Sequence, residues 1–208
     1  MDVKDRIIEE AGILFGKYGI RTMTMDALAE EMGISKRTIY ERFKDKDTLL
    51  MEVLQTYQEK VRKQAEDLID QSENSIEALF RIIEMTVTQM SQVNPNFHHD
   101  FKKYHYKVFK ELSKDHGLRD LSITRKLFER GIGQGVFRND IHLDIVNRTM
   151  HYLFELFGHE SQLLDEGYDR RDLFLFIIVP FFRGISTTKG QTILEESIEK
   201  FSQKHNAK

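Results

Sequence analysis

Between Thr24 and Lys46 two short helical patterns meet at Gly33-Ile34-Ser35, and this joint constrains the fold more than any other feature of the chain. Thr24 is placed to cap a helix over Met25 to Met32, and Gly33 supplies the left-handed residue that stops it. Ser35 then caps a second helix running to about Phe43. A turn this short between helices this short is the spacing of a helix-turn-helix. Ala29 leaves room for a close crossing, while Ile34, Ile39 and Phe43 point back to a core with Leu28. At 100° per residue, Arg37, Glu41 and Lys44 lie opposite Ile39, with Thr38 and Tyr40 on the flanks. That outer face is cationic and hydrogen-bonding, suited to base edges and phosphates in a major groove.

The charge distribution agrees. The chain as a whole carries −3, but residues 33–46 set five cations (Lys36, Arg37, Arg42, Lys44, Lys46) against two acids (Glu41, Asp45). A local basic face on a mildly acidic protein suits a specific binder better than a DNA-coating one.

The rest reads as helix nearly throughout. Two prolines and twelve glycines in 208 residues give little punctuation for β structure. A first helix is expected over Lys4 to Lys17, closed by Gly19, and Asp45 should cap a fourth that runs towards Ile69. Asn74 with Glu77 reads as a capping box opening a helix to about Met90. Asn94-Pro95 reads as cap and first-turn proline of a helix that Gly117 ends, and the next runs from about Arg119 to Gly131 or Gly135. The eighth and ninth helices are expected at Leu143 to Leu164 and Arg170 to about Ser186, with a weaker amphipathic segment at Gln191 to Phe201. The fold class is therefore all-α, of about nine helices. An N-terminal helix-turn-helix domain is expected at 1–48 and a helical domain at 49–208.

With no cysteine, thiolate chemistry and disulfides are excluded. The start lacks an apolar signal core, and the most apolar run, Leu173 to Phe182, is too short for the ~20 residues of a membrane span. The expectation is a cytoplasmic protein without a membrane partner.

The run AGILFGKYGIRTMTMDALAEEMGISKRTIYERFKDKDTLL resembles the N-terminal domain of the tetracycline-repressor (TetR) family. Phe15, Gly19, Thr24, Leu28-Ala29, Gly33, Ser35-Lys36, Tyr40, Phe43, Lys46 and Leu49 carry the resemblance. It covers about the first fifty residues. RGIGQGVFRNDI is similar to the junction before the family's dimerisation helices. The resemblance implies phosphate contacts from Thr24, Tyr40 and Lys46, and base contacts from Lys36, Arg37 and Thr38, with Glu41 and Arg42 nearby. Ser35 and Lys44 complete the candidate interface. Arg37 departs from the small residue that many members carry there. The resemblance also implies a regulator, most simply a repressor, that binds a palindromic operator as a homodimer and releases it on binding a small effector in the second domain.

Residues for an apolar effector pocket are Met85, Phe101, Tyr104, His105, His151 and Phe154. For most aromatics of this kind ordinary core packing is the preferred reading. A metal site is the alternative, since His151 and Glu155 are four apart on one helix and His98, His99 and His105 lie close in sequence, but no spacing matches a dedicated motif. No metal or cofactor is expected. No nucleophile elbow, phosphate loop or His-Glu-x-x-His pattern suggests an enzyme. GIGQG (131–135) reads as a helix end and turn. The competing function is a helical protein-interaction module of the same fold that has lost specific DNA binding.

Two segments add a partner. Apolar residues wrap most of the circumference of 143–164 (Ile145, Val146, Met150, Tyr152, Leu153, Phe154, Leu156, Phe157), and 173–182 has no polar side. One face can serve the protein's own core; a second copy is the natural cover for the other, through the eighth and ninth helices. Pro180, lacking an amide hydrogen for the carbonyl of Phe176, is expected to kink the ninth.

Overall fold

The computed structural model describes residues 2–112, 121–158 and 161–206, with side chains to Lys200. Among them the fold is all-α, and the only extended pairing is an isolated bridge between Phe137 and Ser186. The helices are α1 (Val3–Tyr18), α2 (Met25–Glu31), α3 (Lys36–Arg42), α4 (Lys46–Gln71), α5 (Ser75–Gln92), α6 (Phe97–Tyr104) and α7 (Tyr106–Leu112). They continue with α8 (Leu121–Gly133), α9 (Leu143–Glu155), α10 (Gln162–Asp165), α11 (Arg170–Leu173), a π-helical turn (Phe174–Ile178), α12 (Val179–Ile185) and α13 (Thr188–Asn206). Backbone contacts divide the chain into two compact units, one of residues 1–63 and 89–118, the other of 64–88 and 119–208.

The first unit is built on the apolar stripe of α1. Ile7, Ile8, Ala11 and Phe15 are buried at helical spacing, and Gly19 closes the helix at φ 87°, its amide donating to the Phe15 carbonyl at 3.0 Å. They meet Leu28, Ala29, Ile39, Phe43, Leu49 and Leu50 in one cluster, and each fully buried large side chain there contributes about 1.5–3 kcal/mol. Phe101 of α6 and Val108 of α7 are buried in the same cluster.

The second unit has its own cluster, from Ala65 and Ile69 through Phe128 and Phe137 to Phe182 and Leu194. Asn74 Oδ1 accepts from the amides of Ile76 and Glu77, at 3.0 and 2.9 Å. The returning half of the expected capping box is shifted by one residue, because the Glu77 carboxylate accepts from Glu73 N–H at 3.1 Å. The Arg130 guanidinium donates to the carbonyls of Ile69 and Ser72, satisfying acceptors at the C-terminal end of α4. GIGQG is indeed a helix end and turn: α8 closes at Gly133, and Gly135 sits at φ 68°.

Three sequence expectations are corrected. Asn94 is not a helix cap: α6 starts only at Phe97, and the Asn94 amide donates to the Gly16 carbonyl at 2.8 Å. The eighth expected helix does not run to Leu164. Turn hydrogen bonds at Leu156, Phe157 and Gly158 end α9, and α10 is separate. The helix after Asn94 also breaks at His105, so more helices result than the nine expected. The expected boundaries at Gly117 and Arg119 lie outside the described residues.

The ninth expected helix is continuous but not uniformly α. Before Pro180 the ladder widens to a π turn, and Val179 N–H donates to the Phe174 carbonyl five residues back. A residue inserted into the ladder is a recognised way to accommodate a proline that lacks an amide hydrogen.

Candidate nucleic-acid interface

Both caps of the helix-turn-helix form as their residue types require. Thr24 Oγ1 accepts from Ala27 N–H at 3.1 Å, and Ser35 Oγ accepts from Thr38 N–H at 3.0 Å. Between them Gly33 lies at φ 63°, and Ile34 N–H donates to the Ala29 carbonyl at 3.0 Å, tightening the end of α2. Asp45 caps α4, accepting from the Thr48 amide (2.8 Å) and hydroxyl (2.7 Å); these bonds, then the charges of Lys44 and Lys107, hold its carboxyl below the ordinary aspartate range.

The buried side of α3 is Ile39, continued by Phe43, with neither accessible to solvent. Its opposite side presents Arg37 and Glu41, with Tyr40 on the flank; Lys36, Arg42 and Lys44 are also exposed and Thr38 is half-buried. The Arg37 side chain is 87 % exposed and forms a 2.7 Å ion pair with Glu41 one turn on. The Lys36 ammonium meets Asp26 of α2 at 2.5 Å, and that hydrogen bond raises its pKa. Both pairs are exposed and screened by solvent, so a phosphate or a guanine can displace either acid cheaply. Asp26 was invisible to sequence reasoning, since nothing in a ten-residue separation signals a pair.

Lys46 is placed differently from the other cations. It is half-buried, its ammonium donates to the Ile20 carbonyl, and it lies 5.7 Å from the Phe15 ring centroid. Burial lowers its pKa, while Asp47 and Asp100 act in the opposite sense. Lys46 thus ties the start of α4 to the loop after α1.

The six candidate effector residues do not fall in one cluster. Phe101 is core of the first unit, and His105 is buried there with its Nδ1 2.5 Å from an Asp47 oxygen. Tyr104, in the same unit, is half-exposed, with the Arg21 guanidinium 5.1 Å from its ring centroid. Met85 and Phe154 pack at the edge of the second unit's core. His151 belongs to a buried polar group: the Thr124 hydroxyl donates to Asn147 Oδ1 at 2.5 Å and lies 2.9 Å from His151 Nε2, and Asn147 Nδ2 donates to the Leu121 carbonyl. An open cleft of about 460 Å³ in the second unit is lined instead by Tyr152, Glu155, Leu156, Ser161, Gln162, Leu163 and Glu166. Among the described residues no three His, Asp or Glu side chains gather to hold a metal, and no helix is long and apolar enough to cross a membrane.

Residues 7–53 match the profile of "Bacterial regulatory proteins, tetR family". The chain is 34 % identical over 92 residues to the HTH-type transcriptional regulator YhgD of Bacillus subtilis, a match covering 42 % of this chain and about half (48 %) of that relative. It is 22 % identical over 152 residues to the HTH-type transcriptional repressor KstR2 of Mycobacterium tuberculosis, covering 70 % and 74 % of the two chains. Its fold resembles that of a transcriptional regulator from Saccharomonospora viridis solved in complex with choline, with a TM-score of 0.60 at 18 % identity, over 88 % of this chain and 97 % of that one.

Proposed function

We propose, from the premise that its helix-turn-helix makes this chain a TetR-family DNA-binding regulator, that it is a cytoplasmic, effector-responsive repressor. It binds a palindromic operator as a homodimer. The observation that carries the reading is the exposed cationic side of α3, held on a core side with no solvent access. A helix fixed so firmly in roll can present the same three or four side chains to every half-site. Lys36, Arg37 and Thr38 face base edges, with Arg to guanine the pairing geometry favours, while Thr24, Tyr40 and Lys44 contact phosphates. Lys46 serves by locking α4 against the preceding loop or, on releasing the Ile20 carbonyl, by reaching a phosphate. The name of the relative KstR2 supports repression over activation.

Duplexes enriched from a random pool test this reading. Arg37→Ala is expected to relax discrimination at one base pair per half-site by roughly 1–3 kcal/mol. A uniform loss across all enriched sequences would show that Arg37 touches only the backbone. No enrichment by the wild-type chain would favour the protein-interaction module.

Dimerisation is proposed through α9 and the π turn with α12. Ile145 and Tyr152 of α9 are each 60 % exposed and Phe176 of the π turn 75 %, although the opposite sides of these elements are core. A two-fold pair would set the two α3 helices on successive major-groove faces, roughly 34–36 Å or a multiple apart. The effector is proposed to be small and hydrophobic or aromatic, held in the second unit near Met85, His151 and Phe154. A compound of that class should raise the Tm and release DNA, with chelators having no effect. Release that required zinc, nickel or copper would overturn the organic effector.

A further inference from the structure

The segment 94–112 belongs, by its core, to the unit that carries the helix-turn-helix. Phe101 and Val108 are 1 % and 3 % exposed among the side chains of α1 to α4. Two further ties fix it. Asn94 N–H donates to the Gly16 carbonyl at 2.8 Å, and His105 pairs with Asp47 in the first turn of α4. Its outward side is thus held in a fixed position on the DNA-binding unit.

That outward side is basic and aromatic. Residues 97–112 contain four lysines against two acids, and Lys103, Lys107 and Lys110 are exposed, together with Tyr104 and Tyr106. Lys107 and Lys110 lie three apart on α7, and Tyr106 and Lys110 four apart, so all three share one side. Tyr104 gathers cations: Lys103 Nζ lies 5.4 Å from its ring centroid, and Arg21, from the loop before α2, donates to its hydroxyl at 3.4 Å. The patch lies beside the candidate interface: His105, between Tyr104 and Tyr106, pairs at 2.5 Å with Asp47, the residue after Lys46, and the charge of Lys107 bears on Asp45. A merely solvated charge run has no reason to be stapled to the α3–α4 joint by a buried histidine.

We propose that the exposed side of α6 and α7, with Arg21, is a second DNA-contacting surface that grips the sugar-phosphate backbone flanking the half-site read by α3. Lysines and tyrosine hydroxyls are groups that contact phosphate without reading sequence, so this surface adds affinity and salt dependence but no base preference. The inference rests on the helix-turn-helix reading, and its test separates the two.

The probe is a 40-base-pair duplex of mixed sequence, titrated over a range of salt concentrations. The triple variant Lys103→Ala/Lys107→Ala/Lys110→Ala removes only exposed side chains and should keep the wild-type Tm. It is expected to reduce the slope of log K against log salt by about two to three units, at about 0.9 for each phosphate no longer neutralised. An unchanged slope overturns the inference. A slope that Lys36→Ala/Arg37→Ala/Lys44→Ala leaves unchanged overturns the helix-turn-helix reading instead. Vesicles of anionic phospholipid serve as the second probe. Vesicle binding abolished in the first triple variant, with its DNA slope intact, would assign the patch to a membrane surface and overturn the proposal.

Discussion

Phe176→Arg is expected to leave a folded monomer whose affinity for a duplex carrying two half-sites falls by about 10²–10⁴-fold. That factor is what joining two binding events in one molecule supplies through effective concentration. Phe176 is 75 % exposed, so its removal takes little from the chain's own core, whose nearest buried members are Phe174 and Ile178. Against a second copy the same ring would be covered, and an arginine there would put two like charges across a two-fold axis. Sedimentation at micromolar concentration gives the direct reading. Tyr152→Arg, on α9, should act in the same direction. A dimer that survives both substitutions would place the interface elsewhere.

Gly190→Ala should be the most damaging single-methyl change in the second unit. Gly190 lies in the first turn of α13, where an added Cβ would stand 2.9 Å from the Val136 carbonyl carbon, closer still to its oxygen, and 3.1 Å from Ser186 Cβ. The obstacle is backbone, pinned by Thr187 N–H donating to that same carbonyl at 3.0 Å, so it cannot rotate away as a side chain would. Overpacking of this kind costs roughly 1–3 kcal/mol, and in a chain of this size each kcal/mol lowers Tm by about 2–4 °C. Gly16→Ala in α1 is the matched control. An added Cβ there meets nothing within 4 Å, and removing a helical glycine should stabilise by about 0.5–1 kcal/mol. Thermal unfolding of both variants decides the matter, and a Gly190→Ala protein at least as stable as wild type would show that α13 shifts freely off the Val136 backbone.

The sequence by itself determined what is local. Thr24, Gly33, Ser35 and Asp45 specify caps and a turn through their own backbone bonds, so the ends of α2, α3 and α4 could be read without any knowledge of packing. The core side of α3 followed equally from the 3.6-residue period at Ile39 and Phe43. Only the tertiary structure decided the rest, because it depends on pairs far apart in the chain. Lys36 finds Asp26, Lys46 finds the carbonyl of Ile20, and His105 finds Asp47 fifty-eight residues away, none of which leaves a periodic trace. Asn94 and Glu77 show the same limit at helix starts: Asn94 Oδ1 accepts from Asn96 N–H ahead of the first turn of α6, and the Glu77 carboxylate accepts from Glu73 N–H instead of that of Asn74. The aromatic and histidine-rich run Phe97 to Phe109 looks from composition like a pocket lining. Burial of Phe101 and Val108 beside α1 and α4 instead makes it part of the unit that carries the helix-turn-helix, a choice between two hydrophobic clusters that side-chain chemistry alone leaves undetermined.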